Sequence, residues 1–259
     1  MTRVTLLTDF GTVDGYAAAM AGVIAAVAPG AVVEHASHEI PPGDIPGASL
    51  ALSRYARFYP EGTIHVVVVD PGVGTRRRAL AASIDDRFYV APDNGVLSRV
   101  LTGASTVRII GIDLHRDGDI SSTFHGRDVF APAAARLAAG RPLDALGRPV
   151  HDPVILGEAE PVRADRRVEG VVIQVDRFGS LITNIPASWL PDHGSVRARV
   201  GSTDVGPLRR TYADVAPGEL VALVGSLGLV EISVRNGDAA ARLGAGRGAI
   251  VTCEEIDAR

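Results

Sequence analysis

The sequence predicts an α/β domain with a mostly parallel sheet, followed by a smaller all-β barrel domain. In the first part of the chain, short β-branched runs alternate with longer alanine-rich segments, as they do around a parallel sheet. Beyond residue 167, short apolar runs follow one another with turn residues between them, which favours a small antiparallel barrel or sandwich. We therefore expect two domains, residues 1–160 and 167–259. A segment rich in Pro, Gly and charged residues, 141–166, leads from one to the other.

The elements of the first domain follow from composition and stop signals. Residues 64–69 form the clearest strand, because a continuous β-branched run is typical of a central parallel strand. Residues 16–27 are rich in alanine and end before Pro29 and Gly30, so we expect a helix there. Residues 48–58 are a second expected helix. The other predicted elements are strands at 4–7, 31–33, 80–84, 88–90 and 107–110, and a helix at 129–139 that Gly140 ends.

In the second domain the pattern predicts strands and no convincing helix. The expected strands lie at 168–175, 181–183, 195–200, 220–224, 229–234 and 249–252. No internal repeat is apparent.

Composition excludes several classes of protein. The 259 residues are 46% hydrophobic and 22% charged, with a formal net charge of −4, so neither disorder nor attraction to nucleic acid or an anionic membrane is expected. The longest apolar region, 17–33, is interrupted by Pro29 and Gly30, which is not the pattern of a membrane span. The single cysteine, Cys253, allows no intrachain disulfide and fits a cytoplasmic protein.

The first chemical motif, TDFGTVDGY, directly follows a predicted strand and leads into a helix. Ligands of open α/β sheets bind outside the carboxyl ends of the strands. Asp9 stands at such an end, where a carboxylate can accept both hydroxyl protons of a ribose diol. For Asp14, ligand binding and capping of the next helix remain equal alternatives.

The second motif, VDPGVGTRRR, follows the most buried predicted strand. Asp70 therefore emerges at the carboxyl edge of the sheet, beside Asp9 if the two strands are neighbours. A carboxylate that ends such an apolar strand needs a partner. For Arg76 and Arg78, a plain turn with solvated side chains is the favoured interpretation.

The third motif, TFHGRD, begins a helix and contains His125. A helix N-terminus disfavours imidazolium, so a neutral His125 could hydrogen-bond to water or hydroxide. By itself a lone histidine is more often structural than catalytic. The remaining histidines have no metal-ligand spacing, and we predict no metal site.

The second domain contains two further polar segments, DRFGSLITN from Asp176 and GSLG from Gly225, followed by Arg-Asn-Gly at 235–237. A carboxylate, an aromatic ring and small polar groups could hold an ammonium group, stack on a purine and bind a carboxylate. The residues by themselves favour hairpin turns at these places.

Taken together, the motifs resemble the S-adenosyl-L-methionine hydrolase (adenosine-forming) family, also called S-adenosylmethionine hydroxide adenosyltransferases. Fluorinase and chlorinase are relatives of that family. The resemblance covers nearly the whole chain, and the joint order of its motifs is highly specific. They are TDFGTVDGY, VVDPGVGTRRR, APDNGVL, TFHGRDVFAPAAARLAAG, DRFGSLITNI and the glycine-serine segment near the carboxyl terminus.

The resemblance implies a homotrimer with sites between neighbouring subunits, and it implies roles for individual residues. Asp70, Arg77 and His125 match a catalytic Asp–Arg–His set, and Asp9 matches the residue that holds the ribose diol. The other matches are Asp176 and Ser226 for the methionine amino and carboxylate groups, Phe178 and Tyr212 around the nucleoside, Ser180 in place of an adenine-binding asparagine, and backbone groups near Asn236.

The expected reaction is hydrolysis of S-adenosyl-L-methionine (SAM) to adenosine and methionine by attack of an activated water on C5′. The sulfonium is already a good leaving group, so no metal or organic cofactor is required. Three alternatives stay open: a SAM-dependent halogenase, a non-catalytic SAM or adenosine sensor, and a metal-dependent hydrolase. A carboxylate at position 70 would repel a desolvated halide, which argues against the first.

Overall fold

The computed structural model describes residues 1–114, 120–157, 159–191 and 195–256. The chain divides into two compact units, Met1–Leu156 and Gly157–Arg259. Each unit has hydrophobic core residues of its own.

The first unit is built on a seven-stranded sheet with the order β2-β1-β3-β5-β4-β6-β7. Its strands are β1 (Arg3–Thr8), β2 (Val32–Ser37), β3 (Ile64–Val68), β4 (Ala79–Ile84), β5 (Arg87–Pro92), β6 (Val107–Ile112) and β7 (Gly147–Pro149). The α/β class is confirmed, but the sheet is mixed rather than mostly parallel. Of the six pairings between these described strands, β1–β2, β1–β3 and β3–β5 are parallel and the other three are antiparallel.

The sheet changes from parallel to antiparallel because β4 and β5 form a hairpin, which the sequence pattern does not distinguish from two parallel strands joined by a crossover. β4 and β5 are joined by Asp85 and Asp86, both with positive φ (43° and 62°). Two successive left-handed residues form the tight turn that joins antiparallel strands. β4 is therefore inserted beside β5, and β6 and β7 extend the sheet on that side.

Helices cover both faces of the sheet because the side chains of its strands alternate. α1 (Tyr16–Val27) and α4 (Ala131–Ala138) pack on the face formed by residues such as Leu6 and Val66. α2 (Ile45–Tyr55) and the short α3 (Ser98–Leu101) cover the opposite face, which carries Leu7. Continuous burial on both faces explains the unbroken apolar run of β3.

Helix boundaries follow local capping. α1 has its predicted bounds. α2 begins three residues before the predicted start, because the Asp44 side chain accepts a hydrogen bond from the Gly47 N–H as its N-cap. The predicted helix at 129–139 is preceded by a π-helical turn, Gly126–Phe130, so that helical structure already begins directly after His125.

The second unit is a closed β-barrel, as predicted. Its strands are β8 (Val162–Ala164), β9 (Arg167–Val175), β10 (Leu181–Pro186), β11 (Val196–Val200), β12 (Thr203–Arg209), β13 (Leu220–Val224), β14 (Leu229–Val234) and β15 (Ile250–Glu255). Seven of them follow the order β10-β14-β13-β12-β11-β15-β9, and pairing of β9 with β10 closes the ring.

The barrel differs from the prediction in two respects. The pairing of β12 with β13 is parallel, although an antiparallel barrel was expected. Among the described residues of this unit, the prediction missed a short helix, α5 (Ala239–Leu243), and the strands β8 and β12.

Within the described part of the chain, no helix has the length and apolar character needed to cross a membrane.

Candidate active site

A cavity of about 400 Å³ lies at the carboxyl ends of β1 and β3. These strands are parallel neighbours, and Thr8 at the end of β1 pairs with Val68 near the end of β3. Asp9 and Asp70, which follow the two strands, therefore reach the same edge of the sheet, as the sequence analysis predicted. The cavity is lined by Asp9, Phe10, Pro42, Gly43, Val68, Asp70, Pro71, Val73, Thr123, Phe124, His125 and Gly126.

Asp70 forms a buried ion pair with Arg77. The Arg77 Nε donates to both Asp70 carboxylate oxygens at 2.9 and 3.0 Å, and its Nη2 donates to Oδ2 at 2.5 Å. The side chains are only 4% (Asp70) and 9% (Arg77) exposed. A carboxylate this deeply buried needs such a partner, because an unpaired buried charge is costly.

His125 contacts the same guanidinium nitrogen. Its Nδ1 lies 2.7 Å from Arg77 Nη2. A guanidinium can only donate hydrogen bonds, so His125 Nδ1 must be the acceptor and carry no proton. We therefore assign the neutral tautomer with its proton on Nε2.

The surroundings of His125 favour this neutral form. The residue is 6% exposed. Burial, followed by the charge of Arg77, lowers the pKa of His125, while Asp70 and Asp128 act in the opposite direction. The predicted neutral imidazole is thus consistent with the electrostatics of the site.

Two packing features hold Arg77 in place. Its guanidinium lies over the ring of the fully buried Phe130, 5.2 Å from the ring centroid, in a cation–π arrangement. The loop between Asp70 and Arg77 bends at Gly74, which has φ +75° and packs so closely on the Ser122 carbonyl that a Cβ would lie 2.4 Å from that oxygen. Glycine at position 74 therefore lets the loop approach the segment that precedes His125.

The neighbouring arginines have different surroundings. Arg76 is exposed, as expected. The expectation for Arg78 was wrong, because this side chain forms ion pairs with Asp93 at 2.6 Å and Asp152 at 2.7 Å. Asp93 is buried and needs a cation, and Arg78 is placed beside it by the start of β4.

Asp9 and Asp14, the two carboxylates of the first motif, lie in different surroundings. Asp9 lines the cavity, and its Oδ2 accepts a hydrogen bond from the Gly43 N–H at 2.8 Å. Asp14 is exposed and is not among the residues that line this cavity. It does not cap α1 either, because the N-cap is Gly15, which makes no side-chain capping bond.

On the barrel, Asp176 organises the turn between β9 and β10. Its Oδ1 accepts hydrogen bonds from the Phe178 and Ser180 N–H groups, both at 2.9 Å. Gly179 has φ +79° within this turn. Phe178 is 79% exposed, which leaves its side chain accessible to a ligand.

A polar network continues from Ser180 into the barrel and includes Glu231, which the sequence analysis missed. Glu231 is 6% exposed, and its carboxylate accepts hydrogen bonds from Tyr212 at 2.7 Å and Ser233 at 2.9 Å. The Ser233 and Ser180 hydroxyls are 2.8 Å apart. The available signal was a carboxylate inside an apolar strand, LVEISV.

The pKa of Tyr212 is raised, first by partial burial and then by Glu231, with a smaller effect of Asp176. Asp176, Ser180 and Tyr212 are therefore neighbours on the barrel. Ser226 and Asn236 lie in exposed turns that follow β13 and β14, and Asn236 has φ +57°.

In the described ranges, no group of three or more His, Cys, Asp or Glu side chains is arranged to hold a metal ion.

The comparison with known families agrees with this geometry. Residues 4–147 match the SAM hydroxide adenosyltransferase N-terminal domain, and residues 170–252 match the C-terminal domain of the same family. The chain belongs to the SAM hydroxide adenosyltransferase family. The resemblance inferred from the motifs is thereby confirmed.

Curated relatives of this SAM hydroxide adenosyltransferase are named (R)-S-adenosyl-L-methionine hydrolase. The protein from Thermus thermophilus is 40% identical, with 94% of this chain and 96% of the relative covered. The one from Salinispora tropica is 39% identical, with 93% of each chain covered. A fluorinase from Actinoplanes sp. is more distant, at 26% identity and 74% coverage of each.

A solved structure has the same fold. It is described as an uncharacterized conserved protein from Thermotoga maritima, and it superposes with a TM-score of 0.90 at 35% identity. The match covers 97% of this chain and 100% of that one.

Proposed function

We propose that this protein hydrolyses SAM to adenosine and L-methionine, and that its substrate is the (R) epimer at sulfur. The observation that carries the proposal is the contact of Asp70 and His125 with one guanidinium nitrogen of Arg77 at the edge of the cavity. The curated relatives at about 40% identity are named for this substrate and reaction, which supports the same assignment here.

The reaction is a displacement at carbon. A water oxygen forms a bond to C5′ while the C5′–S bond breaks, and the bonding electron pair leaves with sulfur as the neutral thioether of methionine. One water proton is released. The Asp70 carboxylate lines the cavity and retains lone pairs beyond its bonds to Arg77, so it is the group best suited to accept that proton.

Arg77 and His125 act on the same water. The guanidinium stabilises negative charge that develops on the attacking oxygen. His125 has its Nδ1 lone pair engaged by Arg77, so its Nε2–H is available as a hydrogen-bond donor that orients water. In this state His125 positions the nucleophile and is not the base.

The other predicted ligands are assigned to the parts of the substrate away from the reacting atoms. We assign Asp9 to the ribose diol, since its carboxylate lines the cavity. We assign Asp176 and Ser226 to the methionine amino and carboxylate groups. Phe178, Tyr212, Ser180 and Asn236 are assigned to the nucleoside. Asp14 remains a predicted ligand from the motif alone.

The broader biochemical setting is also part of the proposal. We infer that the enzyme is a cytoplasmic homotrimer with sites between neighbouring subunits. It needs no metal or organic cofactor, because a sulfonium leaves without further activation. A chelator should therefore leave turnover unchanged, and complete loss of turnover after chelation would overturn this part.

Product identification in isotopically labelled water tests the reaction. With the (R) epimer we expect adenosine that carries the label in its 5′-hydroxyl, together with methionine. Unlabelled adenosine, or no adenosine, would overturn the hydrolysis. The same assay at high chloride should give little 5′-chloroadenosine, because Asp70 disfavours halide in the cavity. Faster turnover of the (S) epimer would overturn the stereochemical assignment alone.

A further inference from the structure

The segment that carries Asp9 forms hydrogen bonds with residues that follow β2. Asp9 lies in a short turn in which the Phe10 N–H donates to the Thr8 Oγ1 at 3.2 Å. The next N–H, of Gly11, donates to the His38 carbonyl at 2.8 Å. The Gly43 N–H donates to the Asp9 carboxylate itself. The position of the carboxylate thus depends on the segment from His38 to Gly43.

The His38 side chain adds a second attachment. Its Nδ1 lies 2.9 Å from Thr8 Oγ1, and its Nε2 lies 2.6 Å from His35 Nδ1. Thr8 is fully buried and His38 is 6% exposed, whereas His35 is exposed. Both ring nitrogens of a buried histidine are therefore engaged, one of them by the residue directly before Asp9.

The protons available to Thr8 and His38 decide which atom of each pair is the hydrogen-bond donor. Thr8 Oγ1 accepts from Phe10, and its own buried hydroxyl proton needs an acceptor. His38 Nδ1 is that acceptor, so His38 carries its proton on Nε2 and donates it to His35. The opposite direction would leave the Thr8 proton without a described acceptor. Burial, followed by the charge of His35, lowers the pKa of His38, which favours the neutral ring that this direction requires.

We propose that His38, acting through Thr8, is a positioning residue that sets the Asp9 carboxylate for the ribose diol of the substrate. The inference rests on the proposed function, because it presumes that a ribose binds at Asp9. His38 does not line the cavity, so its effect is on the affinity for the diol and not on the displacement step.

The two ring nitrogens can be tested separately. In His38→Asn the amide oxygen takes the place of Nδ1 and keeps the acceptor for Thr8, but the contact with His35 is lost. In His38→Gln the amide reaches the Nε2 position and the contact with Thr8 is lost. Thr8→Val and Thr8→Ser make a second pair on the other side of the same bond, with the hydroxyl removed or retained.

The experiment is calorimetric binding of adenosine and of 2′,3′-dideoxyadenosine to the full-length protein, with kcat and KM for SAM measured in parallel. The wild type should prefer adenosine by at least about tenfold, as expected for hydrogen bonds to a carboxylate, and Asp9→Asn should abolish that preference. His38→Gln and Thr8→Val should lose most of the preference and raise KM with little change in kcat. His38→Asn and Thr8→Ser should retain it.

Retention of the full preference in both His38→Gln and Thr8→Val would overturn the proposal. An equal weakening for both nucleosides would also overturn it, since this indicates a general structural role. A wild type with no diol preference would refute the ribose assignment on which the inference depends. If the preference is present but no adenosine forms from SAM, the hydrolysis fails while the positioning role stands.

Discussion

Arg77 is the side chain on which the proposed chemistry depends most. Among the described residues, Asp70 and His125 form no hydrogen bond with each other. Each instead forms a hydrogen bond with the Arg77 guanidinium. Loss of this side chain would leave a buried carboxylate without its cation and His125 without its donor. The residue thus fixes the geometry of the site and supplies its positive charge.

Substitution of the adjacent arginines tests this assignment. Arg77→Ala should lower kcat by about 10²–10³-fold, comparable to the loss of a donor that stabilises developing negative charge. Arg76→Ala, the matched control at an exposed neighbouring position, should change kcat less than about twofold. Steady-state kinetics on both variants provide the measurement. A larger loss for Arg76→Ala would show that the loop register is wrong.

The pH profile of kcat/KM tests the protonation state of His125. Because the pKa of this buried histidine is lowered from its ordinary value of 6.5, the neutral ring persists as the pH falls through 6.5. Protonation at Nδ1 would remove the acceptor for Arg77, so activity should be lost only at lower pH. We expect kcat/KM to stay constant from pH 8 to about 6.5.

His125→Asn retains an acceptor near the Nδ1 position without a titratable ring. The fall in kcat/KM at low pH that protonation of His125 causes should therefore be absent from the pH profile of this variant. An acid limb centred at or above pH 6.5 in the wild type would contradict the assigned neutral state.

At the scale of secondary-structure elements, the hairpin between β4 and β5 decides where the sheet changes from parallel to antiparallel. Asp85 and Asp86 both occupy the left-handed region, which is unfavourable for residues with a Cβ. At Asp85 the steric cost is offset by two hydrogen bonds, which its Oδ1 accepts from the Ser105 and Thr106 N–H groups at 2.9 Å. Asp86 is exposed and has no such side-chain bond in the described structure.

Asp86→Gly should therefore raise the free energy of unfolding by about 1 kcal/mol, because glycine adopts positive φ without steric cost. Asp85→Gly is the control, and it should bring no gain, since it also removes the hydrogen bonds from the Ser105 and Thr106 N–H groups. Thermal unfolding compares the two, with kcat unchanged in Asp86→Gly. A lower Tm for Asp86→Gly would show that this side chain has a stabilising contact.

The elements themselves were largely predictable from local sequence. The alanine-rich α1 and the apolar β3 have nearly their predicted bounds, because periodicity and stop signals are local properties. The strand β12 was missed, since Thr203–Arg209 contains Gly206 and Pro207, and its only two hydrophobic residues, Val205 and Leu208, do not alternate as they do in a half-buried strand. Its place in the barrel depends on pairing with β11 and β13, which lie on either side of it.

At the scale of the whole molecule, each unit has its own buried core, and the proposed ligands are divided between the units. Asp9, Asp70, Arg77 and His125 belong to Met1–Leu156, whereas Asp176 and Tyr212 belong to Gly157–Arg259. These ligand assignments therefore predict that turnover of SAM needs the full chain.

Sedimentation at equilibrium should give a mass three times the 27.0 kDa of one chain. A fragment that ends at Leu156 should unfold cooperatively, because it contains two apolar clusters, but it should not turn over SAM. A full-length protein that is monomeric and turns over SAM would contradict the trimer. A fragment that turns over SAM would contradict the assignment of ligands to the barrel.

The sequence by itself determined the longer helices and strands, the two-domain architecture and the set of motifs that indicates the family. It also placed Asp9 and Asp70 at the carboxyl edge of the sheet, whereas the structure decided that their two strands are neighbours. Only the tertiary structure decided which of three consecutive arginines reaches Asp70, since that depends on a loop bent at Gly74. It alone joined Arg77 to His125, 48 positions later in the chain.

The same holds for the buried polar partners. His38 beside Thr8 and Glu231 beside Tyr212 are contacts between residues distant in sequence, 30 and 19 positions apart. Local patterns specify helices, strands and turns through the backbone, whereas hydrogen bonds between distant side chains depend on strand register and packing. That is why the motifs could be identified from the sequence and the residues that hold them in place could not.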